Sequence, residues 1–157
     1  MSPAPVLLIV HHTTSPALHS LFDAVMTGAT KALDPAAPVE IVARPALTCS
    51  AVDVLNADGY ILGTPANLGY MSGALKHFFD TVYYPCLDAT GGRPYGCYIH
   101  GNNDTTGALR AIQTVVTGLG WQLAQAPLEV TGPPDRADLD AGWELGAALA
   151  AGLSLAR

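Results

Sequence analysis

The sequence predicts a parallel, doubly wound α/β fold in which a single five-stranded sheet carries helices on both faces. Apolar runs alternate five times with segments of helical periodicity along the 157 residues. The run VLLIV within residues 5–12 is continuously apolar, which is typical of a strand covered on both faces. From Leu18 onward the apolar residues recur at the helical period. This alternation predicts right-handed crossovers between parallel strands.

Local signals set the position of each element. Ser50 is a candidate N-cap, Pro85 should end the third helix, and Gly118 and Gly120 should end the fourth. Pro127 favours an edge position for the last strand, because proline cannot donate a ladder hydrogen bond. The predicted strands are 5–12, 38–45, 58–65, 95–101 and 121–130, and the apolar helical patterns begin at about Leu18, Ser50, Leu75, Leu109 and Asp135.

Composition limits the classes of function. The length is that of one domain, 1–157, and 50% apolar with 13% charged residues argues against disorder. A formal charge of −6 provides no basic stripe for nucleic acid, and no apolar run approaches the roughly 20 residues that membrane insertion requires. The short N-terminal run lacks the features of a signal peptide, so a cytoplasmic location is expected. Small-molecule or protein partners remain.

Cysteine spacing argues against a redox or metal role. Cys49, Cys86 and Cys97 are odd in number and form no CxxC pair. Buried, reduced thiols and no metal site are therefore expected.

Three polar segments should meet at one edge of the sheet. In open α/β sheets, ligands bind beyond the carboxyl ends of the strands, where the strand order reverses. The segments that follow the first, third and fourth predicted strands are HHTTSPA (11–17), GTPANLGYMSG (63–73) and HGNNDTTGA (100–108). Each is rich in glycine, hydroxyl or amide residues and precedes a helix. They form the candidate binding site.

The first segment suits an anion at a helix N-terminus. Its hydroxyl donors are Thr13, Thr14 and Ser15. The alternative is structural, with Ser15 capping the helix and Pro16 in its first position. Since neither GxGxxG nor a Walker A pattern occurs, the sequence argues against a dinucleotide or nucleoside triphosphate at this turn.

The second segment suits a flat polar heterocycle. Gly69 and Gly73 allow close backbone approach, and Tyr70 offers a ring that can stack on or flank the ligand. The side chains expected to hydrogen-bond its edge are Thr64, Asn67 and Ser72. The alternative is a hydrophilic connector in which Ser72 caps the next helix and Met71 packs in the core.

The stretch GTPANLGYMSGALKHFFDT (63–81) resembles the flavodoxin-like family, in particular its NAD(P)H-dependent FMN reductase and quinone reductase branch. The matching positions are Gly63, Thr64, Pro65, Gly69, Met71, Ser72, Gly73, Leu75, Lys76, Phe78 and Asp80. The resemblance implies that this loop lies along the isoalloxazine ring of FMN. The residues it assigns to the ring are Thr64, Pro65, Ala66, Asn67, Leu68, Gly69, Tyr70 and Met71.

The resemblance also assigns the other two loops. It implies that the first loop holds the phosphate through His12, Thr13, Thr14, Ser15 and Ala17. The first loop nevertheless departs from the family pattern, because Pro16 has no N–H and Ala17 has no hydroxyl. The third loop should border the other edge of the flavin through His100, Gly101, Asn102, Asn103 and Asp104, with Thr105 or Thr106 capping the next helix.

The function implied by the resemblance is transfer of reducing equivalents from NAD(P)H, as co-substrate, through FMN to a quinone or similar small acceptor. No catalytic side chain is required, because the cofactor carries the chemistry. Tyr70, Asn67, His100 and Asn102 are candidates for tuning the flavin or steering its substrates. Two alternatives stay open: a non-enzymatic electron carrier of the flavodoxin type, and a flavin-free regulatory or structural module. A homodimer or tetramer is implied by the resemblance only.

Overall fold

The structure is a computed structural model that describes residues 3–156. Over these residues the chain forms seven strands and five helices. In chain order they are β1 Val6–His11, α1 Pro16–Lys31, β2 Glu40–Pro45, α2 Ala51–Asn56, β3 Gly59–Asn67, β4 Tyr70–Met71, α3 Gly73–Cys86, β5 Pro94–Gly101, α4 Thr106–Leu119, β6 Gln122–Leu123, β7 Leu128–Thr131 and α5 Arg136–Leu155.

The sheet confirms the predicted parallel, doubly wound arrangement. Its strand order is β2-β1-β3-β5-β6, and every pairing along this path is parallel. β1 pairs with β2 on one side and with β3 on the other, so the order reverses between β1 and β3. This reversal is the switch point at which such sheets form a crevice.

The last predicted strand, 121–130, is wrong as a single element. β6 pairs with the start of β5 and β7 with its end, so two short strands share one partner. Residues 124–127 between them are not in a strand, and this segment includes Pro127. A proline has no N–H for the ladder, which explains why the strand is interrupted there rather than merely placed at an edge.

Two other boundaries differ from prediction. β3 continues to Asn67, and the loop after it contains the short strand β4, which pairs antiparallel with β3. Pro85 lies inside the last turn of α3, which ends one residue later at Cys86.

Each face of the sheet has its own apolar core. One core, which includes Phe78 and Phe79, packs beneath α2, α3 and α4, and in it the rings of Tyr60 and Trp121 stack with centroids 4.0 Å apart. The other packs beneath α1 and α5. These two helices approach so closely that a Cβ at Gly146 would overlap the Val25 carbonyl oxygen. Both faces of the sheet are thus covered by helices beneath the loops.

The cysteines agree with the prediction of buried thiols. Cys49, Cys86 and Cys97 are all buried and unpaired. Burial raises the pKa of Cys49 and that of Cys97 to about 12 each, so both are protonated at neutral pH. Among residues 3–156, no helix has the length and apolar character needed to cross a membrane.

Candidate functional site

The carboxyl ends of β1, β3 and β5 bring the three polar loops together. The first loop is joined to the third strand directly, because the His12 N–H donates to the Gly63 carbonyl at 3.0 Å. A cleft of about 180 Å³ opens where the loops meet. Its polar lining comes from all three loops: Thr14 and Ser15, then Asn67, then His100 and Asn102.

The first loop forms the capping arrangement proposed as its structural reading. The Ser15 hydroxyl accepts from the Leu18 N–H at 3.2 Å, and Pro16 occupies the first position of α1. The loop also keeps free donors. Within the described chain, no hydrogen bond is made by the backbone N–H groups of Thr13, Thr14, Ser15 and Ala17. Capping and anion binding are therefore compatible here.

Two histidines differ in how their ring nitrogens are used. Nδ1 of His12 is buried and lacks a hydrogen-bond partner within residues 3–156, which is unusual for a buried polar atom. His100 is 9% exposed, and its Nε2 lies 2.8 Å from the Gly132 carbonyl. Because a carbonyl only accepts, Nε2 carries the proton, and in the neutral ring Nδ1 is left as an acceptor. His100 therefore presents an acceptor nitrogen at the cleft that it lines, whereas the unpaired Nδ1 of His12 is buried in the first loop.

The second loop is a tight β-hairpin rather than an irregular connection. Asn67 pairs with Tyr70 across a two-residue turn, in which Leu68 has φ 52° and Gly69 has φ 75°. Two successive positive φ values define the primed turn that matches the twist of paired strands. Glycine adopts this conformation freely, whereas leucine rarely does, and the Leu68 side chain is fully exposed. Asn67, at the start of this hairpin, lines the cleft.

The hydroxyls of Thr64 and Ser72 are committed inside the protein. Thr64 Oγ1 donates to the Pro65 carbonyl at 2.8 Å and accepts from the Ser72 N–H at 3.0 Å. Ser72 Oγ accepts from the Leu75 N–H, and both side chains are fully buried. This corrects the expectation that these hydroxyls reach a ligand edge. The assignment of Thr64 to a cofactor site by resemblance stays a prediction. Met71 is also buried, in the core beneath α3.

A glycine that the sequence analysis missed holds the hairpin in place. A Cβ at Gly107, in the first turn of α4, would overlap the Gly69 carbonyl oxygen. The turn backbone therefore rests directly on α4. The available signal was a glycine near the start of a predicted helix, where it weakens the helix unless close packing requires it.

The third loop caps α4 differently from the prediction. Asp104 Oδ1 accepts from the Thr106 N–H at 3.0 Å and from its hydroxyl at 2.8 Å, and these bonds lower the Asp104 pKa. Thr105 sits at the N-cap position without a side-chain cap and instead donates to Glu129 Oε1 at 2.8 Å. The capping side chain is thus Asp104. Asn103 is exposed beside it.

A second, mainly apolar cavity adjoins the cleft. It measures about 430 Å³ and shares Ser15, His100 and Asn102 with the cleft. Its other walls are residues 16, 17 and 20 of α1 and residues 132–134 after β7. The sequence analysis did not assign residues 132–134, a Gly-Pro-Pro run, to the site.

The arrangement is suited to binding rather than to acid–base catalysis. The cleft residues carry amides, hydroxyls and one imidazole, that of His100, but no paired carboxylates. In the described part of the chain, no group of three or more His, Cys, Asp or Glu residues could hold a metal ion. Tyr70, 42% exposed beside the turn, is the aromatic ring that the hairpin presents to solvent.

Comparison with known proteins identifies the fold. No protein-family model matches the chain, and no curated protein sequence matches it. Among solved structures, a flavodoxin from the domain Archaea has a TM-score of 0.80 at 15% identity, covering 94% of this chain and 98% of that one. The Streptococcus pneumonia TIGR4 flavodoxin has a TM-score of 0.79 at 18% identity, covering 94% of this chain and 99% of that one. The flavodoxin, WrbA-like protein from Agrobacterium tumefaciens has a TM-score of 0.74 at 19% identity, covering 98% of this chain and 100% of that one. The chain therefore has the flavodoxin-like fold.

Proposed function

We propose that this protein is an FMN-binding oxidoreductase that passes reducing equivalents from NAD(P)H to a quinone or similar small acceptor. The observation that carries the proposal is the position of the cleft, which lies at the switch point of a flavodoxin-like sheet between three loops. Redox proteins recur among the similar structures, including a two-electron reduced flavodoxin from Megasphaera elsdenii. A binding cleft without a catalytic pair is what cofactor chemistry requires.

The residues present fit the two ends of FMN. At one end, unpaired N–H groups of Thr13, Thr14 and Ser15 precede the positive end of α1, and the buried Nδ1 of His12 lacks a partner among the described residues. At the other end, a Cβ at Gly69 or Gly73 would meet no atom within 4 Å, so the hairpin backbone is open to a flat ligand. When bound, FMN supplies hydride and electron transfer.

The chain's own contribution in this proposal is orientation. The hairpin from Asn67 to Tyr70 is held by its antiparallel pairing with β3 and by the contact of Gly69 with Gly107. A fixed hairpin leaves few conformations to be lost when a ligand binds. Tyr70, partly exposed, is placed to act as a wall that orients a nicotinamide or quinone.

Stopped-flow reduction tests the proposal. FMN-loaded protein is mixed without oxygen with NADH or NADPH, for the native chain and for Tyr70→Ala. We expect the flavin absorbance to bleach much faster than that of free FMN, and Tyr70→Ala to slow this by about tenfold, because a nicotinamide must be held at roughly 3–3.5 Å from the ring. Tyr84→Ala is the control, since Tyr84 is 81% exposed near the end of α3. If the flavin bleaches no faster than free FMN in both the native chain and Tyr70→Ala, the reductase hypothesis is excluded.

A second candidate is a non-enzymatic electron carrier. Two observations favour it: the chain is acidic, with a formal charge of −6, and several similar structures of nearly the same length are flavodoxins. A carrier would be nearly inert to NAD(P)H but would accept single electrons from a reduced dye or protein. A flavin-free module, the third alternative, would retain no flavin after reconstitution. Reconstitution with FMN followed by reduction therefore distinguishes the reductase, the electron carrier and the flavin-free module.

A further inference from the structure

We propose that the site recognises a flavin by its ring and polyol chain, and that the 5′-phosphate contributes little, so that riboflavin and FMN bind with similar affinity. This inference rests on the proposed flavin-binding function. It names the class of ligand as an isoalloxazine carrying an uncharged polyol. Its basis is the chemistry of the first turn of α1.

The first turn of α1 has little left to offer an anion. A helix normally exposes the N–H groups of its first residues. Here Pro16 has none, and the Leu18 N–H is bonded to Ser15 Oγ at 3.2 Å. Of the first three helical residues, only Ala17 therefore keeps a free N–H. Three further N–H groups come from the preceding loop rather than from the helix.

The nearby hydroxyls are also partly committed. Ser20 Oγ donates to the Pro16 carbonyl at 3.1 Å, and Thr13 Oγ1 is paired with His11 Nδ1 at 2.8 Å. Thr14 Oγ1 and the Ser15 hydroxyl proton remain available. Besides the buried Nδ1 of His12, the donors left for a phosphate are backbone N–H groups and two hydroxyls, none of which carries a formal charge.

No strong positive charge lies at this end of the site. Neither cavity is lined by a lysine or an arginine. Burial, and next the neighbouring His12, lower the pKa of His11 below its ordinary value of 6.5, so the neutral ring predominates at pH 7. A phosphate that carries close to two negative charges therefore has the helix dipole and backbone dipoles as its main electrostatic support.

The surroundings add a desolvation cost. The adjoining cavity is walled by Pro16, Ala17, Pro133 and Pro134, which present carbon to the ligand. Moving a dianion against such a wall removes water that these residues do not replace. An uncharged polyol end loses much less on the same move. The hydrogen bonds that the loop N–H groups donate to the phosphate are offset by the cost of removing its water. FMN should therefore bind only slightly more tightly than riboflavin.

Titration of the flavin-free protein tests the inference without using activity. Riboflavin and FMN are titrated separately, with flavin fluorescence as the readout, at low salt and at about 0.5 M salt, where charges are screened beyond about 4 Å. We expect the two Kd values to agree within about tenfold at both salt concentrations. FMN binding more than tenfold tighter would overturn the inference while leaving the proposed function intact. Failure of both flavins to bind would overturn both proposals.

A variant that restores the missing donors tests the cause. The double substitution Pro16→Ala with Ala17→Thr returns one N–H and adds one hydroxyl. We expect it to tighten FMN binding by at least about threefold and to leave riboflavin unchanged. Pro35→Ala is the matched control, since Pro35 lies in the exposed turn between α1 and β2. Equal changes for both flavins, in protein whose circular dichroism is native, would contradict this account of the phosphate end.

Discussion

The two ends of the sheet carry cavities that differ in size and, more importantly, in how their polar groups are satisfied. The larger cavity, about 1170 Å³, lies at the amino ends of the strands and includes Asp58, Arg93 and residues 3–6 in its walls. The cleft and the apolar cavity at the carboxyl ends measure about 180 and 430 Å³. Size alone would select the amino end rather than the candidate site.

Polar groups at the amino end are mutually satisfied. Arg93 Nη1 lies within 3.2 Å of the Val54, Leu55 and Ala57 carbonyl oxygens and of the Tyr60 hydroxyl. The guanidinium thereby stabilises the end of α2, where helix carbonyls have no partners within the helix. At the carboxyl end, by contrast, loop N–H groups and His12 Nδ1 have no partners among the described residues. The unpaired polar groups at the strand switch point favour the carboxyl end as the candidate binding site, although its cavities are smaller.

The largest expected effect compares two glycines with the same local conformation. Gly69 has φ 75° and Gly92 has φ 83°, and a Cβ on either would meet no atom within 4 Å. Valine at either position should cost similar backbone strain, on the order of 1–3 kcal/mol in unfolding free energy. Only Gly69→Val, at the carboxyl end, should also weaken flavin binding, by more than about tenfold.

The measurement is urea unfolding together with flavin titration of both variants. Gly92 belongs to the amino-end cavity, so Gly92→Val serves as the control. An equal loss of flavin affinity in Gly69→Val and Gly92→Val would contradict the proposal that flavin binds at the carboxyl end of the sheet.

Removing the arginine at the amino end should affect stability alone. Arg93→Met keeps much of the aliphatic stem but leaves the α2 carbonyls and the Tyr60 hydroxyl without this donor. We expect the free energy of unfolding to fall by about 1–3 kcal/mol, because the part-buried Ala57 carbonyl loses this donor, whereas the Val54 carbonyl still accepts from the Tyr60 hydroxyl at 2.6 Å. Flavin Kd should be unchanged. A variant of native stability with weaker flavin binding would show that the flavin binds at the amino end of the sheet.

Relieving the strained turn at the carboxyl end should stabilise the protein. Leu68 adopts φ 52° with its side chain fully in solvent, so its conformation gains nothing from packing. Leu68→Asn should raise the free energy of unfolding by about 0.5–1 kcal/mol, since asparagine tolerates the left-handed region better. Leu47→Asn, in an exposed turn at 59% exposure, should change stability by less than about 0.5 kcal/mol. A lower stability for Leu68→Asn would show that this leucine makes contacts in solution.

The smallest effect concerns pH. Burial, then the neighbouring His12, lower the pKa of His11 below its ordinary value of 6.5. The unfolded chain therefore takes up this proton first, and the associated stability, complete above pH 6.5, is lost as pH falls towards the folded pKa. Chemical unfolding of native protein and His11→Gln between pH 5 and 7.5 tests this. The native protein should lose stability more steeply below pH 6.5, and parallel curves would contradict the assignment.

Local sequence signals were sufficient for the order of the five helices and of the four longest parallel strands, and for most helix starts. Ser50 caps α2 through reciprocal bonds with Asp53, and Asp135 caps α5 in the same way with Asp138. Such bonds span three or four residues, as does the helical period, so they are readable from a short window. The parallel sheet followed because continuous apolar strands alternating with helices have few other ways to pack.

The geometry of the site was decided by residues that are distant in the chain. Thr64 is turned inward by the Ser72 N–H, eight residues away, and Gly69 sits where it does because Gly107 has no side chain. The end of β3 also depends on a residue distant in the chain, because a Cβ at Gly63 would overlap the ring of Tyr98. Composition and periodicity place polar residues at one end of a sheet. Which of them face a ligand depends on close packing between segments, and close packing is a property of the folded chain as a whole.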